Sequence, residues 1–104
     1  MHVLVARPRF TRTLDDEEYQ RAFRQVVPLY ERSGGFRAFY SLRVSDREVI
    51  NISFWDSRED AERGFAAARP AMTALLGTIM AGPPDRSSGE LLFAYHVDQG
   101  PGAG

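Results

Sequence analysis

The sequence predicts an α+β domain of the ferredoxin-like βαββαβ class, a four-stranded antiparallel sheet with two helices on one face. Three observations carry that expectation. Residues 36–44 and 48–55 alternate apolar and polar side chains and are joined by the turn residues Ser45, Asp46 and Arg47, the pattern of a hairpin. On either side of that hairpin lies a segment with apolar residues at helical spacing, and a further strand-like run stands near each end of the chain.

The first strand is placed at residues 2–10, where Val3, Leu4, Val5 and Ala6 precede Pro8 and an irregular exit. Thr13 or Asp15 can cap the following helix, with Asp16, Glu17 and Glu18 in the first turn, where the helix dipole favours negative charge. Tyr19, Ala22, Phe23, Val26, Val27 and Tyr30 form its apolar face, Pro28 is expected to kink it, and Gly34-Gly35 to stop it. In the hairpin, Phe36, Ala38, Tyr40, Leu42 and Val44 are expected to share a face. Ser57 with Asp60 marks the second helix start, and Ala61, Phe65 and Ala68 its stripe. Arg69-Pro70 should break or kink that helix, and a second helical piece should run through Met72, Leu75, Leu76 and Ile79 to Gly82-Pro83-Pro84. Residues 85–89 read as a polar loop, and residues 90–97 as the last strand. One domain spanning residues 1–98 is expected, with a Gly- and Pro-rich flexible tail at 99–104.

Composition narrows the class of function. The chain has 104 residues, 43% hydrophobic and 12% aromatic, with formal net charge −1, which suits a globular protein better than a nucleic-acid binder. Its thirteen basic residues are all arginine and are scattered. With no cysteine there is no disulfide, thiolate nucleophile or thiolate metal site. His2 and His96 lack metal-ligand spacing, Asp15 to Glu18 complement a helix dipole, and no glycine-rich phosphate loop follows a strand. No run is long and apolar enough to span a membrane, no cleavage-site pattern follows the start, and a cytoplasmic location is the expectation.

The stretch NISFWDS, residues 51–57, raises the functional question. Alternation puts Ile50, Ile52 and Phe54 on one face of the strand and Val49, Asn51, Ser53 and Trp55 on the other. A purely apolar outer face calls for a partner sheet, most simply in a two-fold homodimer. The polar stripe is then expected toward the helices, around a small-molecule cavity lined by Trp55, Ser53, Tyr40, Phe23, Tyr30, Phe65, Met72 and Leu76. On the residues alone, Asn51 bonded to a neighbouring backbone group with Trp55 as packing is the favoured alternative.

Asn51 four residues before Trp55, the W-D-S element at 55–57, the GGF strand entry at 34–36 and IMAGPP at 79–84 resemble the antibiotic biosynthesis monooxygenase family over nearly the whole chain. The W-D-S element speaks mainly for the fold. The Asn–Trp spacing is similar to that of its cofactor-free members that oxidise phenolic or anthrone-type polyketides to quinones. The resemblance implies a dimeric α+β barrel and an aromatic small-molecule substrate. It further implies molecular oxygen as co-substrate with no metal or flavin, and Asn51 and Trp55 as the catalytic pair. An electron-rich phenolate can itself reduce dioxygen, so the protein need only bind it dry, favour the anion and hold the peroxide. The chain departs from the family where a tyrosine is Ala61 and where an arginine falls near Leu75, positions for which Arg69 or Tyr40 are the substitutes at hand. No axial histidine lies between residues 57 and 80, against haem degradation. Two rivals keep the fold: a non-oxidative cyclase or isomerase using Tyr40, Tyr95 or His96 as acid or base, and a non-catalytic small-molecule-binding accessory protein.

Overall fold

The hairpin organises the sheet. In the computed structural model, which describes residues 1–97, β2 (Phe36–Ser45) and β3 (Glu48–Trp55) pair antiparallel across a tight turn at Asp46 and Arg47. Strand β1 (His2–Arg7) pairs with the other edge of β3, and β4 (Asp85–Glu90) with β1, giving the order β2-β3-β1-β4, antiparallel throughout. Helices α1 (Asp16–Ser33) and α2 (Arg58–Leu76) complete the expected βαββαβ succession. The expected tail at 99–104 lies outside the described residues.

Local chemistry accounts for the element ends. Asp15, in extended backbone, caps α1 by accepting from the Glu18 N–H at 3.0 Å, and Gly34 and Gly35 leave the helix at φ 92° and 77°, a region costly for other residues. Ser57 caps α2 by accepting from the Asp60 N–H at 3.1 Å. The W-D-S element is thus the joint between β3 and α2, with the Asp56 N–H bonded to the Gly35 carbonyl at 2.8 Å and the Asp56 carboxylate to Arg37.

Three expectations on element bounds are corrected. α2 runs as one helix through Pro70 and does not break there, just as α1 is a single helix through Pro28. Each proline removes one N–H, whereas burial of Ala61, Gly64, Ala68 and Leu76 along one face holds the longer helix in place. Ile79 lies past the helix end, where its carbonyl accepts from the Thr11 N–H. The last strand is Asp85–Glu90, not residues 90–97. Its side chains are exposed, so its place is set by backbone pairing with β1, and the apolar segment behind it, with Leu92 97% and Phe93 81% exposed, lacks a partner strand among the described residues.

The core lies between sheet and helices. Val26, Trp55, Ala61 and Ala68 are fully enclosed, with Phe10, Leu14, Phe23, Tyr30 and Leu76 around them. The opposite face, formed by Val3, Val5, Ala38, Tyr40, Leu42, Ile50, Ile52 and Phe54, is covered by no element among the described residues.

Candidate functional site

Alternation in β3 sends Val49, Asn51, Ser53 and Trp55 toward the helices, the face expected for the polar stripe. β1 places Ala6 opposite Asn51 and Leu4 opposite Ser53, so two small or short side chains leave space above the strand. The result is a cavity of about 490 Å³ between sheet and helices, within the size range of small-molecule sites. Its inner wall is aromatic: Tyr19, Phe23 and Tyr30 from α1, and Phe39 from β2. α2 contributes Phe65, Arg69, Met72, Thr73 and Leu76, which helical spacing brings onto one face. Exposed Arg69, Thr73, Gly82, Pro83 and Arg86 mark the open side.

One polar cluster breaks the apolar wall. The Tyr19 hydroxyl donates to Asn51 Oδ1 at 2.6 Å, and the Ser41 hydroxyl donates to the same oxygen at 2.6 Å, with the two hydroxyl oxygens 3.0 Å apart. The amide oxygen is therefore saturated. Its Nδ2 group has no hydrogen-bond partner among the described residues, which leaves amide donors free on a residue that lines the cavity. Burial pushes the Tyr19 phenol up to about 12, offset in part by the bonds to Ser41 and Asn51, so it stays a neutral donor at physiological pH. Tyr30 is raised as well, by burial and then by its neighbour Tyr19. Among the described residues no carboxylate or imidazole lines this cavity.

The structure gathers Asn51, Ser53, Phe23, Tyr30, Phe65, Met72 and Leu76 around one cavity. It puts Trp55 and Tyr40 elsewhere. Trp55 is 1% exposed, edge-on to Tyr30 and Phe36, with its indole ring lying against Gly64, where any Cβ would overlap it. Its N–H donates to Ser53 Oγ at 2.8 Å, so Trp55 meets the cavity only through that hydroxyl. Tyr40 is 61% exposed on the outer face, opposite Ile52. The reason is an irregularity between Arg43 and Ser45, which shifts the pairing by one residue and turns Phe39 and Ser41 inward in place of Tyr40 and Leu42. A second irregularity, between Phe36 and Ala38, leaves Phe36 inward beside Trp55, so it does not share a face with Ala38, Tyr40 and Leu42 as expected. Tyr95 and His96 lie in the exposed segment after β4 and take no part in the cavity.

Tyr19 and Ser41 were not singled out from the sequence as site residues. Tyr19 carried the signal of helical periodicity alone, and Ser41 none beyond its strand.

No family model and no curated protein matches the chain. Among solved structures, SnoaB, a cofactor-independent oxygenase from Streptomyces nogalater, superposes with TM-score 0.71 at 20% identity over 89% of this chain and 94% of its own. The chain has the fold of the antibiotic biosynthesis monooxygenases. A protein from Nitrosomonas europaea proposed as one of these monooxygenases matches with TM-score 0.68 at 17% identity, over 89% of this chain and 100% of its own. One from Bordetella bronchiseptica, proposed as the same, gives 0.69 at 15% identity, over 88% and 97%. Among the described residues no group of three or more His, Asp or Glu side chains is placed to hold a metal ion, and no helix is long and apolar enough to cross a membrane.

Proposed function

We propose that this protein is a cofactor-independent monooxygenase that oxidises a hydroxylated aromatic polyketide, a phenol or anthrone, to the quinone. The observation that carries the reading is the Asn51 amide, its oxygen saturated by Tyr19 and Ser41, on the wall of an otherwise aromatic cavity. The fold shared with SnoaB, described as a cofactor-independent oxygenase, supports it.

For an anthrone the balance is substrate plus O₂ giving anthraquinone plus H₂O. Loss of a proton from the ring carbon opposite the carbonyl gives an electron-rich anion, with the negative charge on the former carbonyl oxygen. One electron passes to O₂, and radical and superoxide combine to form the new C–O bond. Protonation gives a hydroperoxide, and loss of the remaining C–H proton with O–O cleavage releases water and leaves the second carbonyl. The Asn51 Nδ2 donors hold the oxyanion or the peroxide, as preorganised donors do in a site screened from water. Ser53, its hydroxyl fixed by the Trp55 indole, supplies a second polar contact, and the rings of Phe23, Phe39 and Tyr30 receive the aromatic body. With no carboxylate or imidazole on the wall among the described residues, the first proton leaves through the substrate's own acidity, and the rate rises with pH as the substrate ionises.

The working unit in this proposal is a homodimer. The uncovered face around Ile50, Ile52 and Phe54, together with exposed Tyr40, Leu42 and Val44, is the kind of apolar surface that a second copy buries.

Oxygen uptake with dithranol, a dihydroxyanthrone, tests the reading against the spontaneous rate. Uptake no faster than without protein, in metal-chelated buffer, would sink it.

A further inference from the structure

The aromatic cavity has a second polar feature that the oxidation does not use. Arg69, on α2 four residues after Phe65, and Arg86, on β4 opposite Ala6, both line the cavity where it opens. Their guanidinium carbons lie 5.6 and 4.4 Å from the Phe65 ring centre. Arg12, Arg37, Arg43, Arg58 and Arg63 are engaged with carboxylates, while among the described residues Arg7, Arg9, Arg21, Arg24, Arg32 and Arg47 are not, so what sets Arg69 and Arg86 apart is their shared place at the cavity mouth. Among the described residues Arg69 and Arg86 have no carboxylate within ion-pairing distance and no hydrogen-bond acceptor.

A guanidinium against an aromatic ring keeps its N–H donors available and gives up some of the side chain's freedom in advance. Two such groups meeting at one ring, from different elements, put positive charge at the rim of a cavity whose other end is Asn51. An anion placed between two guanidiniums that share one ring can take charge-assisted hydrogen bonds from both. The apolar lining offers nothing that would neutralise them from within.

We propose that the occupant carries a carboxylate at the end remote from the ring that meets Asn51, and that Arg69 and Arg86 bind it and set the orientation of the molecule. The inference rests on the aromatic-substrate reading above and narrows it to aromatic acids. Arg69 and Arg86 are then specificity residues, with no part in the redox step. Phe65 positions both.

The test is a binding comparison without turnover. Rhein, a dihydroxyanthraquinone carboxylic acid, and aloe-emodin, which has a hydroxymethyl group in place of the carboxyl, are titrated calorimetrically into the parent and into the R69M/R86M double variant. The parent is expected to favour rhein by about tenfold or more, the usual worth of charge-assisted hydrogen bonds at a partly exposed site. That preference should shrink as salt is raised. The double variant should lose it while holding aloe-emodin within about twofold, which also reports that the cavity has survived. Equal affinity of the parent for the two compounds, or a preference that persists in the variant, overturns the carboxylate proposal and leaves the aromatic reading standing. Failure of both compounds to bind the parent overturns both. Coenzyme A serves as a third ligand: if it displaces aloe-emodin from the parent but not from the variant, and rhein is not preferred, the arginines answer to the phosphates of a thioester carrier and the proposal falls.

Discussion

Replacing Asn51 by aspartate separates a structural amide from a working one. The amide oxygen accepts two hydroxyl donors, from Tyr19 and Ser41. Removing that oxygen, as in Asn51→Ala, forfeits two hydrogen bonds of roughly 0.5–1.5 kcal/mol each, about 1–3 kcal/mol in all. The lower end is expected, because Tyr19 and Ser41 keep each other at 3.0 Å. For a domain of this size that lowers Tm by roughly 4–8 °C per kcal/mol. Asn51→Asp keeps an acceptor for both hydroxyls and changes only the other end of the group, where two N–H donors become an oxygen. Its stability should stay within about 1 kcal/mol of the parent, since the donors that held the amide oxygen now stabilise a carboxylate. Its turnover should fall by about a hundredfold to a thousandfold, the usual cost of losing one preorganised donor to an oxyanion. The assay is calorimetric melting of parent, Asn51→Ala and Asn51→Asp, with dithranol-dependent oxygen uptake on the same samples. An Asn51→Asp protein that melts like the parent and also consumes oxygen like the parent would refute the catalytic role and leave Asn51 as a strut between α1 and β2. An Asn51→Ala protein with parent-like rates would do the same.

Further outcomes follow from the packing and the titrations. Gly64→Ala drives a methyl group into the Trp55 ring and should cost at least about 1–3 kcal/mol, read as a drop in Tm with a shift in the emission of the single tryptophan. Trp55→Phe keeps an aromatic ring in the core but leaves the Ser53 hydroxyl without its donor. A stability loss of about 1–3 kcal/mol with a rate effect smaller than that of Asn51→Asp is expected, and the reverse ranking would make the indole a direct participant. Burial raises Tyr19 to about 12, so the folded state holds a proton that the unfolded chain releases near 10. The stabilisation is therefore complete below pH 10 and is lost as pH rises toward 12, by about 3 kcal/mol from this group. Tyr19→Phe should flatten that part of a Tm-against-pH curve. Ile52→Asp places a charge on the uncovered sheet face and should turn a dimer into a monomer by sedimentation; a parent already monomeric at micromolar concentration would rule out the sheet-to-sheet association.

Where the sequence was legible, one period settled the matter. The alternation of β3 fixes which side chains share a face, and the all-apolar partner set Ile50, Ile52 and Phe54 fixes which face needs the dry contact. The placement of Asn51 and Ser53 toward the helices follows from those residues alone. β4 escaped for the opposite reason. Its residues DRSSGE carry no apolar face because the edge of the sheet holds them through backbone bonds to β1, whereas Leu91 to Val97 alternate without any strand of the described chain beside them. Apolar alternation reports burial and not backbone hydrogen bonding, so the two come apart at β4, which backbone bonds hold without an apolar face.

The hairpin shows how one residue of register decides chemistry. With plain pairing across the turn Asp46-Arg47, Tyr40 would stand opposite Ser53 and its phenol would enter the cavity. The slip between Arg43 and Ser45 gives that place to Phe39 and sets Ser41 opposite Asn51. The cavity thereby exchanges an ionisable phenol beside Ser53 for a hydrocarbon ring, and Asn51 gains the hydroxyl that, with Tyr19, occupies its oxygen. What turns the amide into a donor is thus an irregular backbone step some distance along β2, invisible to side-chain pattern. Deleting Val44, the extra residue of that step, would make the ladder regular and leave Arg43 opposite Val49 and Ser41 opposite Asn51, so the Asn51 clamp is expected to survive the deletion with Tyr40 still on the outer face.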